Sequence, residues 1–248
     1  MTRFLKILYV FFGFCFLMLS SVFAGNVFKY NVEGEFIGFS KNGEVFAYEE
    51  YGYHELSGVP YAIIHLINIH DNKDVFGSPI RASYIQSGVQ VNQVRTMAWQ
   101  MANSYFVEYD ISRAGRLLYH NNSLDKINGT VIDNVVHHKD NIVSVHGFDF
   151  HVKSFYLPTR HCTTYGKGFQ YGFELLIERQ GKTAFVLHKD DKIPRARGCP
   201  REYAIADIVV LSKKTYVVLL KVITHSVSHN TDGSNEGDRY VAYSFSLK

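Results

Sequence analysis

Apolar and polar residues alternate along the stretch EVFAYEEY, residues 44–51, which begins just after an Asn-Gly turn. Successive side chains of a β-strand point to opposite faces, so this alternation predicts a strand that follows a hairpin turn. One face of the strand would carry Val45, Ala47, Glu49 and Tyr51, and the other Phe46, Tyr48 and Glu50. The runs EFIGFS before the turn and YAIIHLINI after a polar loop predict two neighbouring strands.

Two adjacent glutamates, Glu49 and Glu50, lie on this predicted strand. A glycosidase needs two carboxyl groups that face one bond across several ångströms. Neighbours on a straight strand point apart, so the pattern favours two strand residues over a catalytic pair. Each glutamate could still act with a distant partner, and Glu49, Glu50 and Tyr51 are therefore kept as candidate binding residues.

The hairpin, loop and third strand together resemble the blade of TolB-like β-propeller proteins. That blade has an aromatic-Ser-x-(Asp/Asn)-Gly turn, which is matched here by Phe39, Ser40, Asn42 and Gly43. A second copy of the unit can be laid on residues 212–222 and 240–247, although it lacks the Asn-Gly pair. A repeat would imply that the two hairpins have the same shape and strand order.

Residues 88–106 change to a helical pattern. Their apolar positions recur at Val91, Val94, Ala98, Met101 and Tyr105. This spacing predicts one amphipathic helix docked on a sheet, with the apolar stripe in the core. The remaining long segments are rich in β-forming residues and are separated by Gly or Lys turns. The predicted fold class is mostly β, either β-propeller-like or a related multi-sheet β domain, with one amphipathic helix.

The N-terminus has the pattern of an export signal. Two basic residues are followed by an apolar run at residues 7–19 and by small residues that end at Ala24. This order predicts a signal peptide, residues 1–24, that is cleaved after Ala24. The alternative is an uncleaved membrane anchor, for which the uncharged stretch is barely long enough. Cleavage would leave a single secreted β-rich domain, residues 25–248, with no stable membrane span.

Charge and motif content narrow the possible partners. Loss of Arg3 and Lys6 with the signal peptide would change the formal net charge from +3 to about +1. Acidic and basic residues are interleaved, so no nucleic acid is expected as a partner. His225 and His229 would lie about 13 Å apart on a strand, too far for one ion. No metal and no cofactor are expected, and the common nucleophile and phosphate-loop motifs are absent from the sequence.

Two cysteines remain after the signal peptide, Cys162 and Cys199. An even pair in an exported protein predicts a disulfide, with metal ligation and a catalytic thiol as the alternatives. The bond would restrain the polar loop at residues 188–203, where Arg195 and Arg197 are candidates to bind a carboxylate or phosphate. A solvated loop with internal ion pairs is the other interpretation. If both arginines lie on a binding surface, their joint replacement by alanine should leave the melting temperature nearly unchanged.

Two segments resemble a known family. The stretches FAYEEYG, residues 46–52, and IPRARGCPREY, residues 193–203, stand in this order behind the export signal. They are similar to bacterial predicted secreted proteins classed as domain of unknown function 2259. The resemblance extends over nearly the whole mature chain. It implies export in a Gram-negative bacterium and one domain, and it brings no assigned activity and no catalytic residues.

Two functional hypotheses follow. The first is a non-enzymatic binding or scaffold module of the bacterial envelope, periplasmic or secreted, whose partner is an unknown envelope protein or a small anionic ligand. The second is an envelope-directed hydrolase with a dispersed acid/base site that uses Glu49 or Glu50. A glutamate in a cleft beside another titratable group would favour the hydrolase.

Overall fold

The computed structural model describes residues 32–54, 57–86, 88–121, 141–159, 162, 170–179, 185–212, 214–224 and 237–247. The predicted signal peptide and the histidines His225 and His229 lie outside the described residues. The strands, in chain order, are β1 Glu33–Ser40, β2 Val45–Tyr53, β3 Pro60–Asn68, β4 Lys73–Asp74, β5 Ile80–Ser83, β6 Ile111–Arg113, β7 Arg116–His120, β8 Asn141–Val145, β9 Phe148–Tyr156, β10 Tyr171–Arg179, β11 Phe185–Lys189, β12 Pro200–Leu211, β13 Thr215–Thr224 and β14 Arg239–Ser246. The helix is α1, Val91–Glu108, and a 3₁₀ turn spans Arg195–Arg197.

Three antiparallel sheets contain these strands. The N-terminal sheet has the order β4-β3-β2-β1-β6, with β5 also paired to β3. The central sheet has the order β14-β13-β12-β7, and the third sheet has the order β11-β10-β9-β8. In the part of the chain that the structure describes, the architecture is therefore built from sheets with a single α-helix.

The central sheet is buried on both faces. Strands β12 and β13 are nearly continuous apolar runs, as expected for strands that are covered on both sides. Ile205 and Ile208 belong to a core shared with Phe150 and Phe173 of the third sheet. Ala206 and Val209 belong to a core shared with the N-terminal sheet. The three sheets are consequently stacked in layers, with the central sheet between the other two.

Helix α1 covers the outer face of the N-terminal sheet. Its buried residues Val94, Ala98 and Ala102 pack in one core with Val45 and Ala47 of β2. The helix predicted at residues 88–106 is confirmed with slightly shifted ends, although Met101 is 52% exposed and lies outside the core. The predicted alternation of β2 is also confirmed, because Phe46 and Tyr48 pack toward the central sheet instead.

The prediction of a mostly-β, multi-sheet fold with one helix is confirmed for the described residues, and its propeller-like form is not confirmed. The units β1-β2-β3 and β12-β13-β14 share the same antiparallel strand order. Their hairpin turns differ, since residues 41–44 connect β1 to β2 and residues 212–214 connect β12 to β13. A repeat requires this common strand order. The two connecting turns differ in length, however, so the units are not identical copies.

The predicted disulfide is present. Cys162 and Cys199 are bonded, with their Cα atoms 5.6 Å apart, and both are buried. The bond ties residue 162 to the start of β12 across a sequence separation of 37 residues. Closing a loop of this size stabilises the folded state by about 4 kcal/mol in the chain-entropy account.

Candidate functional site

Glu49 joins the N-terminal sheet to helix α1. It is fully buried, and its carboxylate accepts hydrogen bonds from Arg95 Nη2 at 2.8 Å and from Trp99 Nε1 at 3.1 Å. Arg95 Nη2 also donates to Glu35 at 2.6 Å, and its guanidinium lies over the ring of Tyr51. Glu35 stands opposite Glu49 on the neighbouring strand, so Arg95 offsets the repulsion between two adjacent carboxylates.

Tyr51 completes this contact network on the helix side of the sheet. Its hydroxyl donates a hydrogen bond to Glu33 at 2.6 Å. Burial raises the pKa of Tyr51, and the nearby Glu33 carboxylate raises it further. Tyr51 is therefore held as a neutral hydrogen-bond donor beneath Arg95.

Glu50 points to the opposite face, between the N-terminal and central sheets. It is 2% exposed, and its carboxylate accepts a hydrogen bond from the backbone N–H of Tyr240 at 2.8 Å. His65 Nε2 lies 3.8 Å from Glu50, and His65 Nδ1 lies 3.6 Å from Asp74. The ring of His65 stacks on Tyr48 with the centroids 4.5 Å apart. A row of carboxylate, imidazole and carboxylate results, which is buried at Glu50 and exposed at Asp74.

Glu50 and His65 both favour their charged forms. Burial alone would raise the pKa of Glu50, but His65, Arg239 and the backbone N–H of Tyr240 together outweigh burial and leave the pKa below its usual value. Burial alone would lower the pKa of His65, but Asp74 and Glu50 outweigh it and leave that pKa raised. The separations are too long for hydrogen bonds, so the attraction is mainly Coulombic.

The two glutamates thus lie on opposite faces of one strand, as the alternation predicted, and each has its own partners. Neither Glu49 nor Glu50 lines either of the two clefts described below. Substrate in those clefts has no direct contact with these carboxylates. Binding through Glu49, Glu50 or Tyr51 stays a prediction.

The two loop arginines have different surroundings. Arg195 is exposed, whereas Arg197 is 6% exposed and pairs with the buried Asp190. The Arg197 guanidinium also lies over Phe173 and within 3.4 Å of the Tyr203 hydroxyl. Removing one partner of a buried ion pair typically costs about 3–5 kcal/mol. The structure contradicts the premise that both arginines lie on the surface, because Arg197 is turned into the protein, and the joint alanine replacement is now expected to lower the melting temperature.

A cleft of about 340 Å³, here called the edge cleft, lies where the N-terminal and central sheets meet. Its walls come from β1 residues 34–36 and from the β6–β7 connection at residues 114–115. Leu117, His120, Asp207 and Val209 complete the lining. Most of the lining residues are apolar or glycine, and those with polar side chains are Glu35, His120 and Asp207.

His120 and Asp207 form a hydrogen-bonded pair in the edge cleft. Asp207 is buried on β12, and its Oδ1 lies 2.7 Å from Nδ1 of His120, whose side chain is 55% exposed. Burial raises the pKa of Asp207, and the contact with His120 offsets part of that rise. Among the described residues, the hydrogen bond of the His120 ring is the one from Nδ1 to Asp207. Such a pair can hold a ligand group or transfer a proton.

A β-bulge explains the position of Asp207. The register between β12 and β13 shifts between Ile205 and Asp207, and an extra residue at a bulge leaves the regular alternation. Sequence reasoning missed both members of the pair. The available signal was Asp207 itself, a lone acid inside the apolar run AIADIVVL. Its partner is 87 residues away in the chain and could not be deduced from spacing.

A second cleft, of about 690 Å³, lies at the turn between β1 and β2. Its lining contains five carboxylates, Glu44, Asp71, Asp74, Glu108 and Asp110, together with Lys41. Among the described residues, no group of three or more potential metal ligands is gathered at one point. The acidic lining by itself identifies no ligand.

The fold and these contacts define a disulfide-containing β protein in which three stacked sheets are covered by one helix on an outer face, within the described ranges. Residues 47–240 match the family described as Predicted secreted protein (DUF2259), and the chain belongs to this family. Comparison with curated proteins and with solved structures gave no match. Within the described part of the chain, no helix has the length and apolarity that a membrane crossing requires.

Proposed function

We propose that this secreted protein is a non-enzymatic binding module of the bacterial envelope, acting in the periplasm, and that its ligand occupies the edge cleft. The observation that supports this proposal most is the His120–Asp207 pair set among mostly apolar walls. Ligand sites commonly combine apolar lining with a few fixed polar groups that set orientation.

Rigidity of the surroundings supports the same proposal. Asp207 lies on β12, which is paired on one side with β7 and on the other with β13. The sheet that carries it is covered on both faces. A polar group held on such an element needs little reorganisation when a ligand binds, which reduces the entropic cost of binding.

The test uses two cleft variants and a matched control. Leu117→Glu and His120→Ala alter the edge cleft, where Leu117 is 56% exposed. Val186→Glu introduces the same charge at a residue that is 51% exposed on β11 of the third sheet. Each protein is used to capture material from its native envelope extract, followed by quantitative mass spectrometry. We expect both cleft variants to lose at least tenfold of a captured species that Val186→Glu retains. Equal capture by all four proteins would refute the proposal.

The second candidate function is an envelope-directed hydrolase, which the same pair favours. His120 would take a proton from water through Nε2, while Asp207 holds the ring through Nδ1. This centre differs from the acid/base site expected at Glu49 or Glu50. A panel of chromogenic esters, phosphates and glycosides tests it. Turnover that disappears in His120→Gln would support the hydrolase, and absence of turnover over the panel would count against it.

An anion site in the disulfide-restrained loop at residues 188–203 would have one candidate arginine instead of the two that the sequence suggested. Of its two candidate arginines, Arg195 is exposed and Arg197 is committed to Asp190. A small anionic ligand at this loop would therefore contact Arg195 without a second guanidinium from Arg197.

A further inference from the structure

One edge of the first half of β1 lies beside the edge cleft. On one side, β1 pairs with β2 from Glu33 to Phe39. On the other side, β6 pairs only with Phe39 and Ser40. Among the described residues, positions 33–37 therefore have no strand partner on that side. Residues 34–36 of this open edge line the cleft itself.

The opposite wall of the cleft is also the edge of a sheet. Strand β7 is the last strand of the central sheet and pairs only with β12 among the described strands. Leu117 of β7 is 56% exposed and lines the cleft with Val209. A segment lying along β1 would thus have backbone partners on one side and apolar side chains on the other.

An open strand edge is chemically selective. It presents N–H and C=O groups at the spacing of a strand, and another extended backbone can pair with the whole row in register. We propose that an extended segment of a partner protein adds to β1 as an extra strand in the edge cleft. The inference rests on the proposed binding function and names the class of ligand for the same site.

Charge determines the side chains that such a segment should carry. Glu33 and Glu35 are exposed and share the helix-side face with Glu49, and Arg95 pairs with Glu35 and Glu49 on this face. The formal sum is −3 + 1 = −2 at this face. Side chains of an added strand next to these positions meet negative charge. Basic residues are therefore expected at every second position of the partner segment.

The other positions of the segment should be apolar. Gly34 and Phe36 alternate with the glutamates and lie on the face turned toward the central sheet, where Phe36 packs against the shared core. Side chains of the added strand on this face meet Leu117 and Val209. The segment therefore alternates basic and apolar residues.

A second copy of this chain fits the edge of β1 less well than a basic partner segment does. Pairing β1 with β1 of another molecule would bring Glu33 and Glu35 close to the same glutamates. Like charges on facing strands are destabilising, and charged residues on an edge are a known protection against self-association. The same charges attract a basic partner segment.

The test uses a synthetic peptide of sequence Lys-Val-Lys-Val-Lys-Val-Lys, labelled for fluorescence anisotropy, and the full exported protein. We expect saturable binding that weakens at least tenfold for Leu117→Glu and for a Glu-Val-Glu-Val-Glu-Val-Glu peptide. The binding should not change for Val186→Glu, the matched control on β11. Unchanged unfolding midpoints will show that the variants are folded.

Two N-methylated peptides separate strand addition from simple charge attraction. In a strand, the N–H groups of alternate residues point to the same edge, so methylating the valines blocks one edge and methylating the inner lysines blocks the other. Only one peptide edge can pair with β1. One isomer should therefore lose at least tenfold in affinity while the other binds like the parent peptide.

Three results would overturn the inference. They are no binding of the parent peptide, equal affinity of the two N-methylated isomers, and undiminished binding to Leu117→Glu. If envelope capture is still lost in Leu117→Glu while the peptide does not bind, strand addition alone is refuted and the binding function stands. If capture also survives in Leu117→Glu, both proposals fail.

Discussion

Arg195 and Arg197 are two residues apart in one 3₁₀ turn, yet their side chains have opposite environments. Arg197 is enclosed with Asp190, which also accepts hydrogen bonds from His188 at 2.9 Å and from the backbone of Phe173 at 3.0 Å. Arg197→Ala should lower the free energy of unfolding by about 3–5 kcal/mol, because the buried Asp190 carboxylate then loses its guanidinium partner. Arg195→Ala, the matched surface change, should stay within about 0.5 kcal/mol. Urea unfolding of both variants measures the two changes in free energy of unfolding. Equal changes would contradict the buried ion pair assigned to Arg197.

The row Glu50–His65–Asp74 predicts how stability depends on pH. The pKa of His65 is raised above 6.5 in the folded protein, so its contribution is complete below pH 6.5 and is lost as the pH rises through the folded value. The pKa of Glu50 is lowered from 4.5, so its contribution is present above pH 4.5 and is lost as the pH falls through the folded value. Both contributions are therefore present between pH 4.5 and 6.5.

His65→Gln tests this window. The substitution removes the imidazolium between two carboxylates but keeps a polar side chain. Its cost in free energy of unfolding should be larger near pH 5.5 than near pH 8.5, where the wild-type imidazole loses its charge advantage. Urea midpoints of wild type and variant at the two pH values measure the difference. The same cost at both pH values would show that the charged form of His65 does not supply the stability assigned to it.

At the scale of elements, helix α1 is held to the N-terminal sheet by two kinds of contact. Small apolar residues pack on β2 and β3, and Arg95 meets the buried Glu49. Arg95→Ala should destabilise the protein by about 3 kcal/mol, because Glu49 then remains buried with less compensation. Adding Glu49→Gln to this variant should recover part of the loss, since a neutral amide costs less to bury. Guanidinium unfolding will measure both, and a double variant less stable than Arg95→Ala would contradict the electrostatic role.

Local patterns of the sequence predicted these elements well. The helical spacing of residues 88–106 and the alternation of β2 depend on neighbours in the chain, and both appear in the structure. Contacts between distant segments were not predictable in the same way. The bulge in β12 and the meeting of Asp207 with His120 depend on how the central sheet is assembled. Sequence alone also could not show that Arg197 turns inward, because Asp190, Phe173 and Tyr203 become its neighbours only in the fold.

At the scale of the whole molecule, the disulfide ties the segment at Cys162 to the central sheet through Cys199. Breaking it should lower the free energy of unfolding by up to about 4 kcal/mol. Unfolding with and without dithiothreitol should show this drop in wild type. The double variant Cys162→Ser/Cys199→Ser should be insensitive to the reductant. A wild-type midpoint that does not respond to complete reduction would contradict the stabilising role.

The central claim is that the open edge of β1 in the edge cleft is the binding surface of this secreted protein. Amide hydrogen exchange, measured with and without the Lys-Val heptapeptide, tests it most directly. We expect slower exchange at residues 33–37, whose side away from β2 has no strand partner among the described residues, and no such change in Leu117→Glu. Unchanged exchange at these residues, or protection confined to residues 41–44 of the acidic cleft, would contradict it.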